Sequence, residues 1–138
     1  MSGYLLDTNV VSELRKGART NARVRAWFDG VDASELYLSV LVVGEIRRGI
    51  ERVRRRDAAS AAALDRWLTK VEGEFDDRIL VVDRDVAEQW GRVDATGPLG
   101  AVDGMLAATA IVHDLVLVTR NVRDARRSGA RFLDPFAA

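Results

Sequence analysis

Four acidic side chains stand far apart in the chain, and all four are of the kind that binds a divalent cation. They are Asp7, Glu45, Asp103 and Asp124. Two unit charges about 4 Å apart repel each other by roughly 4 kcal/mol at an effective dielectric constant near 20, so acids gathered in one place need a counter-ion. Carboxylate oxygens are hard ligands that suit Mg²⁺ or Mn²⁺. If the fold brings these four together, the pattern predicts a metal-dependent enzyme that hydrolyses phosphodiester bonds.

The composition excludes several other kinds of catalytic centre. Cysteine is absent, which excludes thiol catalysis, iron–sulfur clusters and cysteine-based zinc sites. The only histidine is His113, so a reaction driven by a pair of imidazoles cannot be assembled. A chain of 138 residues of which 48% are hydrophobic is long enough to bury a core, and we expect one domain over residues 1–138.

The balance of charge does not by itself indicate a nucleic-acid partner, because 21 basic residues face 21 acidic ones. The basic residues are mostly arginines that crowd into Arg47–Arg56 and Arg120–Arg131. Each cluster fits either the solvated side of a helix or a phosphate-binding surface, since the guanidinium fork matches phosphate.

The start of the chain gives an expectation about location. Met1–Asp7 lacks the basic residues and the apolar run of a signal peptide. No apolar stretch of the sequence approaches the roughly 20 residues of a membrane span. We therefore expect a cytoplasmic protein with no membrane partner.

Strand-like and helix-like segments alternate along the chain, which is typical of an α/β fold with a parallel sheet. The predicted strands are Tyr4–Leu6, Leu36–Ser39, Ile79–Val82, Val116–Val118 and Phe132–Leu133. The predicted helices are Val10–Arg15, Ala22–Phe28, Val42–Arg55, Ala58–Glu74, Val86–Val93 and Asp103–His113, with a loop at Gly97–Gly100.

This order of elements places three of the four acids at one edge of the sheet. Ligands of open α/β sheets bind beyond the carboxyl ends of the strands, where the winding reverses. Asp7 directly follows strand one, and Thr119, Asn121 and Asp124 follow strand four, which we expect beside strand one. Asp103 opens the helix that leads into strand four, so its side chain belongs to the same edge.

Glu45 is placed by helical periodicity. Val42, Ile46, Ile50 and Val53 form one apolar stripe, and Glu45 flanks it, about 60° from Val42 at 100° per residue. The side chain is therefore expected beside the buried face of its helix.

Each acid also has an ordinary alternative role. Asp7 could cap the helix that follows it, and Asp103 could be the N-cap of its own helix. Glu45 could form a surface ion pair with an arginine one turn away, and Asp124 could be a turn residue. These alternatives do not require the four side chains to converge.

Five segments together resemble a known family. They are Leu5–Leu14, Glu45 with Gly49, Asp103–Ala110, Leu117–Asp124 and Asp134–Phe136. In this order they resemble PIN-domain proteins, specifically the VapC-type toxin ribonucleases of bacterial type II toxin–antitoxin pairs. The resemblance runs nearly end to end. It implies a three-layer α/β/α sandwich around a five-stranded parallel sheet, a Mg²⁺ or Mn²⁺ site, and RNA cleavage that arrests translation. It also implies homodimers, and larger complexes with a cognate VapB-type antitoxin.

The resemblance assigns roles to particular residues. It implies that Asp7, Glu45 and Asp103 are metal-binding acids, with either Asp124 or the position of Asn121 as the fourth site. If Asp124 is that acid, Asn121 would orient Asp7 or a metal-bound water. Further expected contributions are a hydrogen bond from Thr119 within the cluster and a turn around Asp7 shaped by Thr8 and Asn9. Ala125 departs from the family pattern, which usually has an aromatic residue there.

The predicted chemistry follows from this set of residues. One or two ions held by Asp7, Asp103, Asp124 and, directly or through water, Glu45 would lower the pKa of a bound water and neutralise charge on the phosphate. We expect products with 5′-phosphate and 3′-hydroxyl ends.

Two alternatives from other functional classes stay open at this point. A signalling receiver domain also holds Mg²⁺ in an acidic pocket, but it needs an acidic pair after strand one and a lysine after strand five. Here a single Asp7 follows strand one, and no lysine lies beyond Lys70. The other alternative is a PIN-like binding module whose metal site is inactive.

Overall fold

The computed structural model describes residues 3–137, so Met1, Ser2 and Ala138 lie outside the described range. Within that range five strands form one parallel sheet in the order β3-β2-β1-β4-β5. The strands are β1 Tyr4–Leu6, β2 Leu36–Ser39, β3 Ile79–Leu80, β4 Val116–Val118 and β5 Phe132–Leu133. The winding reverses between β1 and β4, which confirms the prediction that these two strands are neighbours.

Helices cover both faces of the sheet. In residues 3–137 they are α1 Thr8–Leu14, α2 Ala22–Asp29, α3 Val40–Arg54, α4 Ala58–Glu74, α5 Arg84–Thr96, α6 Ala101–Val112 and α7 Val122–Ser128. The first four connect strands that run from β1 towards β3, and the other three lead back to β4 and β5. Right-handed crossovers place these two groups on opposite faces. The predicted α/β/α sandwich is confirmed.

The central strand is covered on both sides. Leu5 and Leu6 point to opposite faces of β1, and they are 0% and 1% exposed. A strand buried on both faces reads as a continuous apolar run, which is why β1 and β4 were predictable from sequence. On one face α6 packs with small side chains, because Ala107, Ala108 and Ala110 are all buried.

No single helix within residues 3–137 has the length and hydropathy to cross a membrane. Only α5 and α6 taken together reach both, and the pair is bent by 119° at the break between them. The apolar character of α6 has a local cause, since this helix supplies several residues of the core.

Side-chain caps start the helices earlier than the apolar pattern predicts. The side chains of Asp7, Ser39 and Asp83 accept hydrogen bonds from N–H groups in the first turns of α1, α3 and α5. Apolar periodicity marks only the core-facing stripe, so it misses first turns that lie outside that stripe. The predicted starts at Val10, Val42, Val86 and Asp103 were therefore each two residues too late.

The short helix α7, between β4 and β5, was not predicted. Only Ala125 and Ser128 of this helix are buried, so it has no apolar stripe to reveal it. Asn121 caps its start, and Gly129, at φ 82°, ends it in a left-handed conformation that favours glycine. Ala125, where the family usually has an aromatic residue, is 3% exposed and belongs to the core.

Candidate active site

A small pocket lies beyond the carboxyl ends of β1 and β4. Its polar lining consists of Asp7, Asp103, Thr119, Asn121 and Asp124. Five of the residues singled out in the sequence thus surround one space, although they come from four separate elements. We call this space the acidic pocket.

Asp7 is the most buried acid of the pocket, at 9% exposure. Its Oδ1 accepts a hydrogen bond from the backbone N–H of Thr8 at 2.7 Å. Its Oδ2 accepts one from the Thr119 hydroxyl at 2.7 Å and a longer one from the Asn9 amide at 3.4 Å. Asp7 therefore both caps α1 and faces the pocket, so the ordinary role and the functional one coexist.

Burial raises the pKa of Asp7 above its ordinary value. The hydrogen bonds from Thr119 and Thr8 lower the pKa, and the negative charge of Glu45 adds to the rise. The ionised carboxylate is thus held by donors on both oxygens, yet it remains in an environment that disfavours its charge. A cation in the pocket would relieve this.

Asp103 is close enough to all three other acids to be affected by their negative charge. It lies in the first turn of α6, and burial is the largest cause that raises its pKa. Repulsion from Asp7, Glu45 and Asp124 raises the pKa further. The N-cap of α6 is Gly100, so the alternative that Asp103 caps its own helix is wrong. The helix begins one turn earlier, and the carboxylate is free to face the pocket.

Glu45 lies beside the acidic pocket and is linked to it through Thr8. The Thr8 hydroxyl donates to Glu45 Oε1 at 2.6 Å, while the backbone N–H of the same residue binds Asp7. Arg48 lies 3.8 Å from Glu45 Oε2, so the ordinary ion pair exists as well. The shorter contact is the one directed at the pocket.

Asp124 is held by Asn121 in the first turn of α7. The Asn121 amide donates to Asp124 Oδ2 at 2.9 Å, and its backbone N–H donates to the Thr119 hydroxyl at 2.9 Å. The Asn121 amide therefore contacts Asp124 and not Asp7, while the alternative that Asn121 orients a metal-bound water stays a prediction. The chain turns into α7 directly after β4, so the capping amide is directed at Asp124 instead.

One contact that supports the pocket was missed from sequence. A Cβ atom at Gly104 would lie 3.0 Å from Cδ1 and 3.1 Å from Nε1 of Trp90, so α5 and α6 approach closely just beside Asp103. The buried Trp90 Nε1 has no hydrogen-bond partner among the described residues. Gly104 itself was the sequence signal for this contact. A glycine inside a helix is unfavourable by roughly 0.5 to 1 kcal/mol relative to alanine, so its presence suggests that the helix packs closely against another element there.

Gly104→Ala should therefore destabilise the protein and displace Asp103. We expect a loss of about 1 to 3 kcal/mol in the free energy of unfolding, because the added methyl overpacks the contact with Trp90. Denaturant unfolding measures this loss, and the RNA cleavage that the family resemblance implies would report the displacement of Asp103.

Gly91→Ala is the matched control for this change. Gly91 lies in α5, and a Cβ there would meet nothing within 4 Å. Alanine at this position should stabilise the helix by about 0.5 to 1 kcal/mol. Equal effects of the two substitutions would contradict the proposed contact.

The chemistry of the pocket fits a divalent cation. Its donors are carboxylate oxygens, and two of the acids have raised pKa values because of burial and mutual repulsion. The cavity measures about 10 Å³, roughly the room of one water molecule. Among residues 3–137 no three acidic or imidazole groups are arranged closely enough to enclose a metal. Carboxylate oxygens are the ligands that Mg²⁺ takes, and because this ion keeps several waters, acids that stand further apart can bind it through those waters.

Comparison with known proteins decides the family. The family model described as PIN domain matches residues 4–129. The chain belongs to the PIN domain family. A receiver domain, the competing interpretation, is therefore wrong, and the strand order found here also differs from the flavodoxin-like order of that fold.

Similar proteins within the family span nearly the whole chain. The chain is 32% identical over 143 residues to VapC ribonuclease Y4jK of Sinorhizobium fredii, with 96% of each protein covered. It is 33% identical over 122 residues to toxin FitB of Neisseria gonorrhoeae, which covers 85% of this chain and 86% of FitB. A solved structure of FitAB bound to an IR36 DNA fragment superposes with a TM-score of 0.89 at 28% identity, covering 98% of this chain and 96% of that one.

Proposed function

We propose that this PIN-domain protein is the toxin of a VapBC-type toxin–antitoxin pair. In this proposal it is a Mg²⁺- or Mn²⁺-dependent endoribonuclease that hydrolyses RNA phosphodiester bonds in the cytoplasm and so inhibits translation. Residues 1–138 would act as one PIN domain, and the active form would be a homodimer. The observation that carries the proposal is Asp103, whose carboxylate lies in the acidic pocket within the electrostatic reach of three other acids. The similarity to a VapC ribonuclease and to a toxin supports it.

Each acid has a defined part in the proposed reaction. Asp7, Asp103 and Asp124 would bind the ion, and Glu45 would bind it either directly or through a water molecule. When bound, the ion would supply an activated water and neutralise charge on the phosphate. All four acids are counted as catalytic.

The residues around the acids keep them in position. The two oxygens of Asp7 are fixed by donors from Thr8 and Thr119, so the carboxylate cannot rotate away from the pocket without losing both hydrogen bonds. Thr8 couples Asp7 to Glu45, and Asn121 fixes Asp124. Asn9 adds the long contact to Asp7. Preorganised carboxylates need no rearrangement when charge develops on the substrate.

Incubation with total RNA tests the proposal. We expect cleavage with Mg²⁺ or Mn²⁺, none in EDTA, and products that carry 5′-phosphate and 3′-hydroxyl ends. Water is the expected nucleophile because attack by a 2′-hydroxyl driven by a pair of imidazoles needs two histidines, and His113, at the end of α6, is the only one in the sequence. Ends with 2′,3′-cyclic phosphate, or full activity in EDTA, would overturn the mechanism. A protein that binds RNA without cutting it under any of these conditions would be the inactive module.

A second surface fits the proposed antitoxin. A groove of about 410 Å³ lies between α1, α2 and α4. Its apolar lining includes Val11 and Leu14 of α1, Phe28 of α2, and Trp67 and Val71 of α4. A groove of this kind takes the apolar face of a helix.

The rim of this groove indicates the charge of the partner. Three cationic residues, Arg15, Arg25 and Lys70, stand against one acidic residue, Glu74. We therefore propose that a VapB-type antitoxin inserts an apolar helix whose flanking residues are mainly acidic. The FitAB structure, which joins a FitB-type chain with a second component on DNA, supports a paired assembly for this fold.

A further inference from the structure

Arg120 is an exposed arginine placed beside the acidic pocket. It stands between Thr119 and Asn121, and both of these residues line the pocket. The backbone N–H of Arg120 donates to Asn9 Oδ1 at 3.2 Å, and the amide of Asn9 contacts Asp7. The backbone of Arg120 is therefore tied to the same turn that holds the most buried acid.

The guanidinium of Arg120 lies over the ring of Phe136, with Cζ 4.5 Å from the ring centroid. This is the shortest of the arginine–aromatic distances within residues 3–137, where the others range from 5.3 to 5.8 Å. The position of Phe136 is itself fixed, because its backbone N–H donates to Asp134 Oδ1 at 2.9 Å. An otherwise flexible side chain is thus supported on one face by a defined ring.

The edge of this guanidinium is available to a ligand. Within the described residues the side chain of Arg120 makes no hydrogen bond and no ion pair. Two other arginines of this region are already engaged, since Arg127 contacts Asp124 and Arg131 contacts Asp114. Glu13, whose pKa is lowered in part by the Arg120 charge, already pairs with Lys16 and the Asn21 N–H. Among the described residues, the side-chain N–H groups of Arg120 therefore have no hydrogen-bond acceptor.

An acidic pocket needs such a cation if it is to accept RNA. The phosphate backbone and the four carboxylates repel each other, and a chain of zero net charge provides no long-range attraction. When the face of a guanidinium group lies on an aromatic ring, its N–H groups remain at the edge, where they can donate to a ligand. These N–H groups form a fork that matches two oxygens of one phosphate.

We propose that Arg120, supported by the ring of Phe136, binds a phosphate of the RNA strand and positions that strand across the acidic pocket. The inference rests on the proposed ribonuclease function and names the residue pair that receives the substrate backbone. The fork contacts a phosphate next to the one that is cleaved. It reads no base, so the contact is independent of sequence.

Binding and cleavage of a fluorescein-labelled single-stranded RNA of mixed sequence test this inference. Binding is measured in EDTA, where no cleavage is expected, over a series of salt concentrations. Arg120→Ala should weaken binding about ten- to a hundredfold, the loss of one charge-assisted phosphate contact. The slope of log K against log salt should fall by about one. In Mn²⁺ the loss should appear mainly in KM.

Three further variants distinguish the contribution of the Arg120 guanidinium group from that of its positive charge and from that of the Phe136 ring beneath it. Arg120→Lys keeps the charge, so it should retain the salt slope but lose several-fold in affinity because the fork is gone. Phe136→Leu should give a similar several-fold loss. Arg66→Ala removes an equal charge from an exposed arginine of α4 that lies outside both arginine clusters, and it should change neither binding nor cleavage.

The outcomes distinguish this inference from the function on which it rests. If the wild-type protein cleaves RNA while Arg120→Ala and Arg66→Ala behave alike, Arg120 does not bind the substrate. An unchanged salt slope in Arg120→Ala has the same meaning. If the wild-type protein cleaves no RNA with any metal, the proposed function itself fails. Should Arg120→Ala unfold, Arg120→Lys keeps the stacked cation and still reports on the fork.

Discussion

Asp7→Asn should lose RNA cleavage by on the order of a thousandfold or more. The substitution removes one negative charge from the acidic pocket, and several kcal/mol of transition-state stabilisation would be lost with the ion that Asp7 is proposed to hold. The side chain keeps its shape, and its oxygen can still accept from the Thr8 N–H. The measurement is the rate of cleavage of total RNA in saturating Mn²⁺.

The same variant should be more stable than the wild type at neutral pH. Burial raises the pKa of Asp7, so its ionised form opposes folding and its protonated form does not. The neutral asparagine removes this opposition. As the pH falls below about 4, the ordinary range of a carboxyl group, Asp7 becomes protonated in both folded and unfolded chains and the advantage should vanish.

Denaturant unfolding of the metal-free proteins across this pH range checks the sign. Asp77→Asn is the control, because its side chain is 86% exposed and lies away from the pocket. Asp77→Asn should leave the cleavage rate unchanged, and the pH dependence of its free energy of unfolding should match that of the wild type. An Asp7→Asn protein that is less stable at neutral pH, or that cleaves at the wild-type rate, would exclude Asp7 from the role assigned to it.

Leu14→Glu should weaken binding of the proposed antitoxin while leaving the proposed ribonuclease activity unchanged. Leu14 lines the apolar groove between α1, α2 and α4, and it is half-buried there. A helix seated on the groove would bury the new carboxylate without a partner, which costs roughly 2 to 5 kcal/mol in an interface. Affinity for the antitoxin should therefore fall by about 30-fold or more.

Copurification of the coexpressed pair, followed by titration of the isolated components, measures this loss. Leu14→Met conserves volume and polarity, and it should bind the antitoxin as the wild type does. Cleavage of RNA by Leu14→Glu shows that the variant is folded. Full neutralisation of this variant by the antitoxin would place the docking surface elsewhere.

The acidic pocket and the apolar groove are separate surfaces of the molecule. The acidic pocket lies beyond β1 and β4, whereas the apolar groove lies between helices on one face of the sheet. Leu6 and Asp7 are adjacent in the chain, and they contribute to the groove and to the pocket respectively. A helix bound in the groove would therefore lie close to the acids of the pocket.

The sequence by itself determined the architecture of this protein. Four of the five predicted strands have the observed bounds, and so does the helix Ala58–Glu74. These segments are recognisable because burial on one or both faces imposes an apolar pattern that needs no knowledge of distant residues. The same rules placed Asp7 and Thr119 at the end of neighbouring strands.

Only the tertiary structure decided how the acids are held. Thr8 joins Asp7 to Glu45, and Asn121 is directed at Asp124 rather than at Asp7. The stacking of Arg120 on Phe136 and the contact of Trp90 with Gly104 likewise depend on how separate elements pack. A local pattern specifies which face of an element is buried, but not which side chain of another element meets it. That choice is made by the close packing of the whole domain, where each side chain has few positions that fit.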